Sequence, residues 1–167
     1  MKHVEGVEAA IHCTLTLAAL PQGTVMPAAA LAESFGLSHS YLVKTLKTLV
    51  ASGILASVPG PTGGYRAARA AEQITLKDVV LAVSGPQPAF RCQDIRRGGP
   101  CAHLPDDAFP APCGVRTAML AAEAAYRDAL AQTTLASLLE HYADTSDPRA
   151  RRAYSAFAKS ALRGPAA

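Results

Sequence analysis

The chain lacks any run of about 18 consecutive apolar residues, the length that a helix needs to cross a bilayer. Its first residues, MKHVEGVEAAIHC, place acidic residues and histidine where a secretory signal has an uninterrupted apolar core. We therefore expect no membrane span and no secretory signal, and we expect the protein to be cytoplasmic.

The chain also lacks the motifs of common catalytic sites and of structural zinc sites. It contains no nucleophile motif, no phosphate-binding loop and no paired carboxylates in a plausible cleft, which argues against an enzyme. Its four cysteines include no Cys-x-x-Cys pair of the kind that holds structural zinc. In a reducing compartment, these cysteines indicate metal or redox chemistry rather than structural disulfides.

The length and charge fit a small DNA-binding protein. A chain of 167 residues accommodates one domain, or one small domain with a dimerising extension. The formal net charge of +3 suits a modest footprint on DNA, and the position of the charges matters more than their sum. Four basic side chains cluster around one segment, namely Lys44, Lys47, Arg66 and Arg69.

The segment over residues 31–68 predicts a helix-turn-helix followed by a wing. Leu31 and Phe35 lie four residues apart on a short helix, and Gly36 supplies the turn because a residue without Cβ adopts positive φ without strain. Ser38 caps the second helix. On that helix we expect a buried stripe of Leu42, Leu46, Leu49 and Val50 and a solvent face of Ser40, Tyr41, Lys44, Thr45 and Lys47.

The predicted wing follows Gly53. Residues 54–58 predict a strand, residues 59–64 a loop and residues 65–67 the returning strand. We call the helix-turn-helix and its wing the head. In a head of this kind, the second helix reads base edges in the major groove, while the two-stranded wing follows the DNA backbone or reaches the minor groove. The predicted DNA contacts are Ser38, Ser40, Tyr41, Lys44, Lys47, Thr62 and Arg66. The alternative is a pair of hairpins that binds a protein instead.

The whole chain predicts a mostly α fold with a small β-wing, a winged helix-turn-helix plus a long dimerisation helix. The first helix spans residues 4–20, and Thr75 with Asp78 opens another as a capping box. Residues 114–133 predict an alanine-rich helix that forms a natural dimer seam, and Thr134 caps the next helix. The predicted segments are the DNA-binding domain 1–83, a cluster-binding loop 84–113, dimerisation helices 114–143 and a tail 144–167 that forms a solvated helix.

The loop before the long helix contains Cys92 and Cys101 and ends at Cys113. A loop of this length without its own core is uncommon unless it is disordered or held by something. A metal centre would hold it in place.

Four stretches carry a resemblance to a known family. The run GLSHSYLVKTLKTLVASGIL followed by GPTGGY resembles the recognition helix and wing of the Rrf2 family of bacterial winged-helix regulators, and the likeness covers roughly residues 1–140. GVEAAIHC and FRCQDIRRGGP are similar to the RsrR type within that family. That resemblance implies a 2Fe-2S cluster between subunits, with Cys92 and Cys113 from one chain and Glu8 and His12 from the partner.

The predicted ligands make chemical sense beside that resemblance. Glu8 and His12 lie one helical turn apart on one face and so can chelate a single ion, whereas Cys13 is a small core residue. Thiolates suit iron–sulphur clusters, and replacing two of them on one iron raises its reduction potential. Cys101 departs from the family spacing, so it is a substitute ligand, a ligand of a 4Fe-4S form or a spare thiol, and His103 beside it is a weaker candidate.

We therefore expect a homodimeric repressor of transcription that binds a pseudo-palindromic operator and carries an iron–sulphur cluster, 2Fe-2S rather than 4Fe-4S. Pro59 stands where many relatives carry an arginine aimed at the minor groove, so the target sequence is not transferable from them. Two alternatives stay open at this point. One is DNA binding controlled by a thiol–disulfide or zinc site, and the other is a protein-interaction module in iron–sulphur assembly.

Overall fold

The computed structural model describes residues 6–164, so the expected start of the first helix at Val4 lies outside the described residues. Seven α-helices and one two-stranded sheet are described: α1 Val7–Ala18, α2 Ala28–Ser34, α3 His39–Ala51, β1 Leu55–Val58, β2 Gly64–Ala67, α4 Leu76–Ser84, α5 Gly114–Ala131, α6 Leu135–Thr145 and α7 Pro148–Ala161. Short 3-10 helices lie at Ala71–Gln73, Ile95–Arg97, Gly99–Cys101 and Asp106–Ala108. The mostly α fold with a small wing is confirmed. Among residues 6–164, no helix is both long and apolar enough to cross a bilayer.

The core lies between α1, α3, α4 and the wing. Leu42, Leu46 and Leu49 on α3 are fully buried, as the helical spacing predicts, and Val50 packs against their cluster. Thr45 does not face solvent as expected, because it is only 9% exposed. Its neighbours explain the difference, since α1 crosses this face of α3 and brings Gly6 beside the Thr45 hydroxyl.

Local sequence signals define the ends of several helices. Gly36 has a φ of 62° in the turn between α2 and α3. The Thr75 side chain accepts a hydrogen bond from the Asp78 backbone N–H, and the Asp78 carboxylate accepts one from the Thr75 backbone N–H, which completes the predicted capping box. Thr134 caps α6 in the same way by accepting from the backbone N–H of Ser137.

The wing is an antiparallel pair in which Leu55 lies opposite Ala67 and Val58 opposite Gly64. It is tied to the chain before α2 by two backbone hydrogen bonds, because Met26 N–H donates to the Tyr65 carbonyl and Tyr65 N–H donates to the Met26 carbonyl. The backbones approach so closely that a Cβ on Gly64 would lie 2.5 Å from the Met26 carbonyl oxygen. The glycine is required by this contact rather than by its φ.

The end of the chain corrects one expectation. The tail is helical, but it is not simply solvated, because Ala158, Ala161 and Leu162 pack against the core. The Arg163 N–H donates a hydrogen bond of 3.0 Å to the Val25 carbonyl. Ala158 and Ala161 lie at helical spacing on α7, so they form an apolar face of the helix that packs against the core.

Candidate functional site

The exposed face of α3 carries the predicted reading residues. Ser40, Lys44 and Lys47 recur at helical spacing and all are exposed. Ser38 caps the helix by accepting a hydrogen bond of 3.3 Å from the Tyr41 N–H. This cap uses the Ser38 hydroxyl and fixes where the exposed face begins.

Tyr41 differs from the other predicted contacts on α3. It is half-buried, and its hydroxyl lies 3.0 Å from the position that a Cβ on Gly6 would take. Gly6 has a φ of 106°, so a side chain there would be both strained and crowded. Tyr41 therefore links the recognition helix to the start of α1.

The wing supplies two further exposed residues, Thr62 in its loop and Arg66 on β2. Within residues 6–164, no salt bridge joins Arg66, Lys44 or Lys47 to a carboxylate. Arg69 is different, because it donates to the Gln73 carbonyl and lies 3.9 Å from Asp78. The three unpaired cations are available to phosphates, whereas Arg69 is already engaged within the fold.

The structure brings together two of the predicted thiols. The Sγ atoms of Cys92 and Cys113 and a carboxylate oxygen of Asp94 all lie within 4.8 Å of one another. The Asp94 N–H donates a hydrogen bond of 3.3 Å to the Cys92 Sγ. These residues line an open cavity of about 740 Å³ together with Arg96, Arg116 and other residues of the loop.

Asp94 was not predicted from the sequence. It has a φ of 49°, the left-handed conformation that is uncommon for residues other than glycine. Its carboxylate accepts hydrogen bonds from Arg96 Nε at 2.6 Å and from Arg97 Nε at 2.9 Å, and the pKa of Asp94 is lowered, chiefly by the bond from Arg96. The only sequence signal was its place two residues after Cys92, which does not reveal the turn that brings it to the thiols.

The two arginines organise the rest of the loop. Their guanidinium carbons lie 5.3 Å and 5.0 Å from the centre of the Phe109 ring, for Arg96 and Arg97 respectively. Arg96 also donates to the Ala111 carbonyl, and Arg97 pairs with Asp106. This network connects the two ends of the loop on which Cys92 and Cys113 lie.

The thiol of Cys113 has a lowered pKa. The largest cause is a hydrogen bond from the Arg116 backbone N–H, with smaller contributions from the Val115 N–H, Cys92 and the charge of Arg96. Cys113 is the residue at the N-terminal cap of α5, where backbone N–H groups stabilise a negative charge. The thiolate, the form that binds metals, is therefore favoured here.

Burial raises the pKa of the Cys13 thiol to about 12, and this side chain has no exposed surface, so its prediction as a core residue is confirmed. Cys101 lies in its own 3-10 helix, outside the group formed by Cys92, Asp94 and Cys113. His103 is exposed and lies outside the same group.

Glu8 and His12 lie on an exposed face of α1, one turn apart. They border a different groove of about 990 Å³, which Phe35, Tyr41 and residues of α4 and α5 also line. Within one chain they are not grouped with the cysteines. A site that uses both pairs therefore requires the partner arrangement that the resemblance implies.

The donor set fits a metal centre that prefers sulphur. Two thiols lie close together, one of them with a lowered pKa, and a third donor is the Asp94 carboxylate. Thiolates select zinc and iron–sulphur centres over magnesium or calcium. Cys92 and Cys113 are the residues of this chain that would hold such a group.

Comparison with known proteins gives a family match and partial sequence matches. The model of the Rrf2 family, described as an iron-dependent transcriptional regulator, matches residues 4–141. The chain is 38% identical over 95 residues to YffB of Lactococcus lactis, named as an HTH-type transcriptional regulator, covering 57% of this chain and 61% of that protein. It is 37% identical over 84 residues to the HTH-type transcriptional regulator IscR of Cronobacter sakazakii, covering 50% of this chain and 52% of that protein. The chain thus spans about half to three fifths of the length of these curated relatives.

Solved structures share the fold. The oxidized form of Staphylococcus aureus CymR is similar with a TM-score of 0.63 and 23% identity, covering 88% of this chain and 99% of that chain. IscR of T. potens is similar with a TM-score of 0.64 and 18% identity, covering 90% of this chain and 96% of that chain. At these identities, the two structures support the architecture alone.

Proposed function

This chain belongs to the Rrf2 family, and we propose that it is a homodimeric transcriptional repressor whose affinity for its operator is set by an iron–sulphur cluster, of the 2Fe-2S type. The family resemblance predicted from the sequence is confirmed, whereas the RsrR type stays a prediction. The prediction that the chain is not an enzyme is confirmed by the family, because its description and its named members are transcriptional regulators. Since its target is DNA, we place the protein in the cytoplasm.

The surface of the head supports the proposal of DNA binding. The exposed face of α3 presents Ser40, Lys44 and Lys47, and the wing presents Thr62 and Arg66. A helix of this kind enters the major groove, while cations that are free of internal partners neutralise phosphates. We therefore assign base contacts to the first turns of α3 and backbone contacts to the lysines and the wing.

The long helix α5 supports the proposal of a homodimer. None of its 18 residues is buried in the chain, although Val115 and Met119 are apolar and are 63% and 44% exposed. A second copy would cover such a helix, and two-fold symmetry would present two recognition helices to the half-sites of a pseudo-palindromic operator.

The paired thiols support the proposal of a cluster. Cys92 and Cys113 would hold it from one chain, and His12 and Glu8 would reach it from α1 of the partner. When bound, such a group supplies a one-electron redox centre whose charge changes with its oxidation state. The residues of the loop hold the two thiols together through the Asp94 N–H and the arginine network, and Arg96 places a positive charge near the Cys113 sulphur.

The contacts of α1 provide a route from the ligands to the reading head. Tyr41 of the recognition helix has its hydroxyl beside Gly6, two residues before Glu8. Ala10 and Cys13 of α1 are fully buried in the same core as Leu42 and Leu46 of α3. A shift of α1 on gain or loss of its ligand bonds would therefore change the position of α3, because close-packed cores transmit displacement.

The observation that carries the proposal is that Cys92 and Cys113 lie close together in a chain of this family. Anaerobically purified protein is expected to be brown and to contain equal amounts of iron and acid-labile sulphide. Its affinity for duplex DNA selected from a random-sequence pool should change when the cluster is removed. Equal affinities of the cluster-bound and metal-free protein for that DNA would refute cluster control, whereas a colourless anaerobic preparation would refute the cluster itself.

The same two thiols favour a second candidate, a thiol–disulfide switch with the same DNA target. A colourless protein whose DNA affinity responds to reductant and loses that response in Cys92→Ser would support it, and bound zinc would be found by metal analysis. A protein-interaction module in iron–sulphur assembly is separated from both by salt, since DNA affinity falls steeply with ionic strength.

A further inference from the structure

The last described helix lies beyond the residues that the family model matches. The family match ends at residue 141, and α7 begins at Pro148. Nevertheless Ala158 and Ala161 of α7, and Leu162 directly after it, pack back onto the core of the head. The helix therefore lies outside the matched residues but contacts the part of the chain that carries the proposed DNA and cluster residues.

Tyr154 on α7 forms one end of a row of three rings. Its ring centre lies 6.4 Å from that of Phe35, with an angle of 39° between the ring planes. Phe35 in turn lies 5.7 Å from the imidazole of His12, at 45°. Ring centres at these distances are in the range of favourable aromatic pairs. Since Phe35 ends α2 immediately before the Gly36 turn, the row connects α1, the helix-turn-helix and α7.

The hydroxyl of Tyr154 makes a second connection to the same turn of α1. It is hydrogen-bonded to the Oγ1 of Thr16, and that Oγ1 donates to the His12 carbonyl at 3.0 Å. Because the single proton of Thr16 goes to this carbonyl, the Tyr154 O–H is the donor to Thr16. Burial raises the pKa of Tyr154, so the proton that this bond needs is present at neutral pH.

The imidazole of His12 has few other constraints. It is exposed, and within residues 6–164 neither a hydrogen bond nor a salt bridge engages its ring nitrogens. A metal-binding histidine usually donates its second nitrogen to a partner that fixes the ring, and the described residues of this chain include none. Among the described residues, the contact with Phe35 is therefore the one that restricts the orientation of this ring.

We propose that Tyr154 is a positioning residue that holds Phe35 against His12, and thereby orients the His12 imidazole and ties its turn of α1 to the end of α2. The proposal rests on the proposed function in one respect, that His12 is a cluster ligand. It goes beyond that function by giving α7 a role in the site and by naming a contact between the ligand and the helix-turn-helix.

The test compares the unaltered 167-residue chain with three variants. Tyr154→Leu keeps apolar bulk but removes the ring and the hydroxyl, Tyr154→Phe keeps the ring, and Arg152→Ala changes an exposed residue of the same helix as the control. In metal-free protein, NMR measures the contact between the ring protons of His12 and Phe35. In reconstituted protein, the shape of the electron paramagnetic resonance signal of the reduced cluster reports its ligands, and its decay gives the rate of cluster loss.

We expect Tyr154→Leu to lose the His12–Phe35 contact, to change the signal shape and to lose the cluster roughly three- to tenfold faster, the range that one aromatic pair supports. Tyr154→Phe should keep the contact and the signal shape, and Arg152→Ala should match the wild type in every measurement. The His12–Phe35 contact and the shape of the cluster signal, rather than the rate of cluster loss, distinguish positioning from general destabilisation.

An unchanged ring contact in Tyr154→Leu, or a lost contact with an unchanged cluster signal, would overturn the proposal while leaving the proposed function intact. Failure of the wild type to bind a cluster would instead count against the proposed function. In that case the NMR contact still decides whether Tyr154 orients the His12 ring.

Discussion

Replacing Gly64 with alanine tests how the wing is attached to the head. A Cβ at this position would lie 2.5 Å from the Met26 carbonyl oxygen and 2.6 Å from its carbon, whereas real Cβ atoms essentially never approach closer than 3.0 Å. Both obstructing atoms are backbone, so no side chain can rotate away. The strand must separate from the segment before α2 by about half an ångström or more, the difference between these distances.

That separation strains two hydrogen bonds, the 3.0 Å bond from Met26 N–H to Tyr65 and the 2.9 Å bond from Tyr65 N–H to Met26. At about 0.5–1.5 kcal/mol each, their loss lowers the free energy of unfolding by about 1–3 kcal/mol. Alanine recovers about 0.4–1 kcal/mol by restricting the unfolded chain. Mid-range values give a net destabilisation of about 1.3 kcal/mol, which lowers Tm by about 3–5 °C for a chain of this size.

Calorimetry measures the Tm, and DNA titration at fixed salt measures the effect on the wing. We expect weaker binding as well as a lower Tm, because Arg66 lies on the displaced strand β2. Gly114→Ala is the matched control, since a Cβ at Gly114 meets no atom within 4 Å. It should leave the Tm unchanged or raise it, because alanine favours a helix. If Gly64→Ala melted at the wild-type temperature, the close contact between wing and head would be refuted.

Three further predictions concern the reading head and the thiols. Lys44→Ala and Lys47→Ala should each reduce the slope of log affinity against log salt by about 1, one phosphate contact apiece, and an unchanged slope would remove that lysine from the interface. Cys92→Ser and Cys113→Ser should each abolish iron binding in anaerobic preparations. Cys13→Ala should retain iron, because the Cys13 thiol is fully buried. Iron retained in both serine variants would contradict the assignment of Cys92 and Cys113 as ligands. Alkylation of Cys113 in the metal-free protein, followed by mass spectrometry of the Cys113 peptide, should reach half its maximal rate at a lower pH than alkylation of free cysteine in the same assay, because the lowered pKa keeps the reactive thiolate down to lower pH. A midpoint equal to or above that of free cysteine would show that the helix end does not stabilise the thiolate.

The helix ends illustrate how far local sequence predicts this fold. Ser38, Thr75 and Thr134 were predicted as caps, and each accepts the hydrogen bond that defines a helix start. The leucine spacing of α3 predicted its buried stripe because helical period and burial are linked within a single element. These features depend on neighbours within a few residues, so the helix caps and the leucine stripe could be predicted without knowledge of the tertiary contacts.

Thr45 and Asp94 show where that interpretation failed. Helical period placed Thr45 towards solvent, but α1 covers it, and the path of α1 is not encoded in α3. Asp94 joins the thiols because an unusual backbone conformation and two arginines direct it there. The division of the chain into functional segments stays a prediction. The ligand set from both subunits also stays a prediction, since it concerns a second copy.

Motif spacing was sufficient to identify the family, the capped recognition helix and the wing, and to select the cysteines that are proposed as ligands. All of these are patterns between near neighbours in the sequence. The contact of Gly64 with Met26, the meeting of Cys92 with Cys113 and the row from Tyr154 to His12 join residues far apart in the chain. Such pairs depend on how whole helices and loops pack, because many weak contacts distributed over the core select one arrangement among those that the local patterns allow.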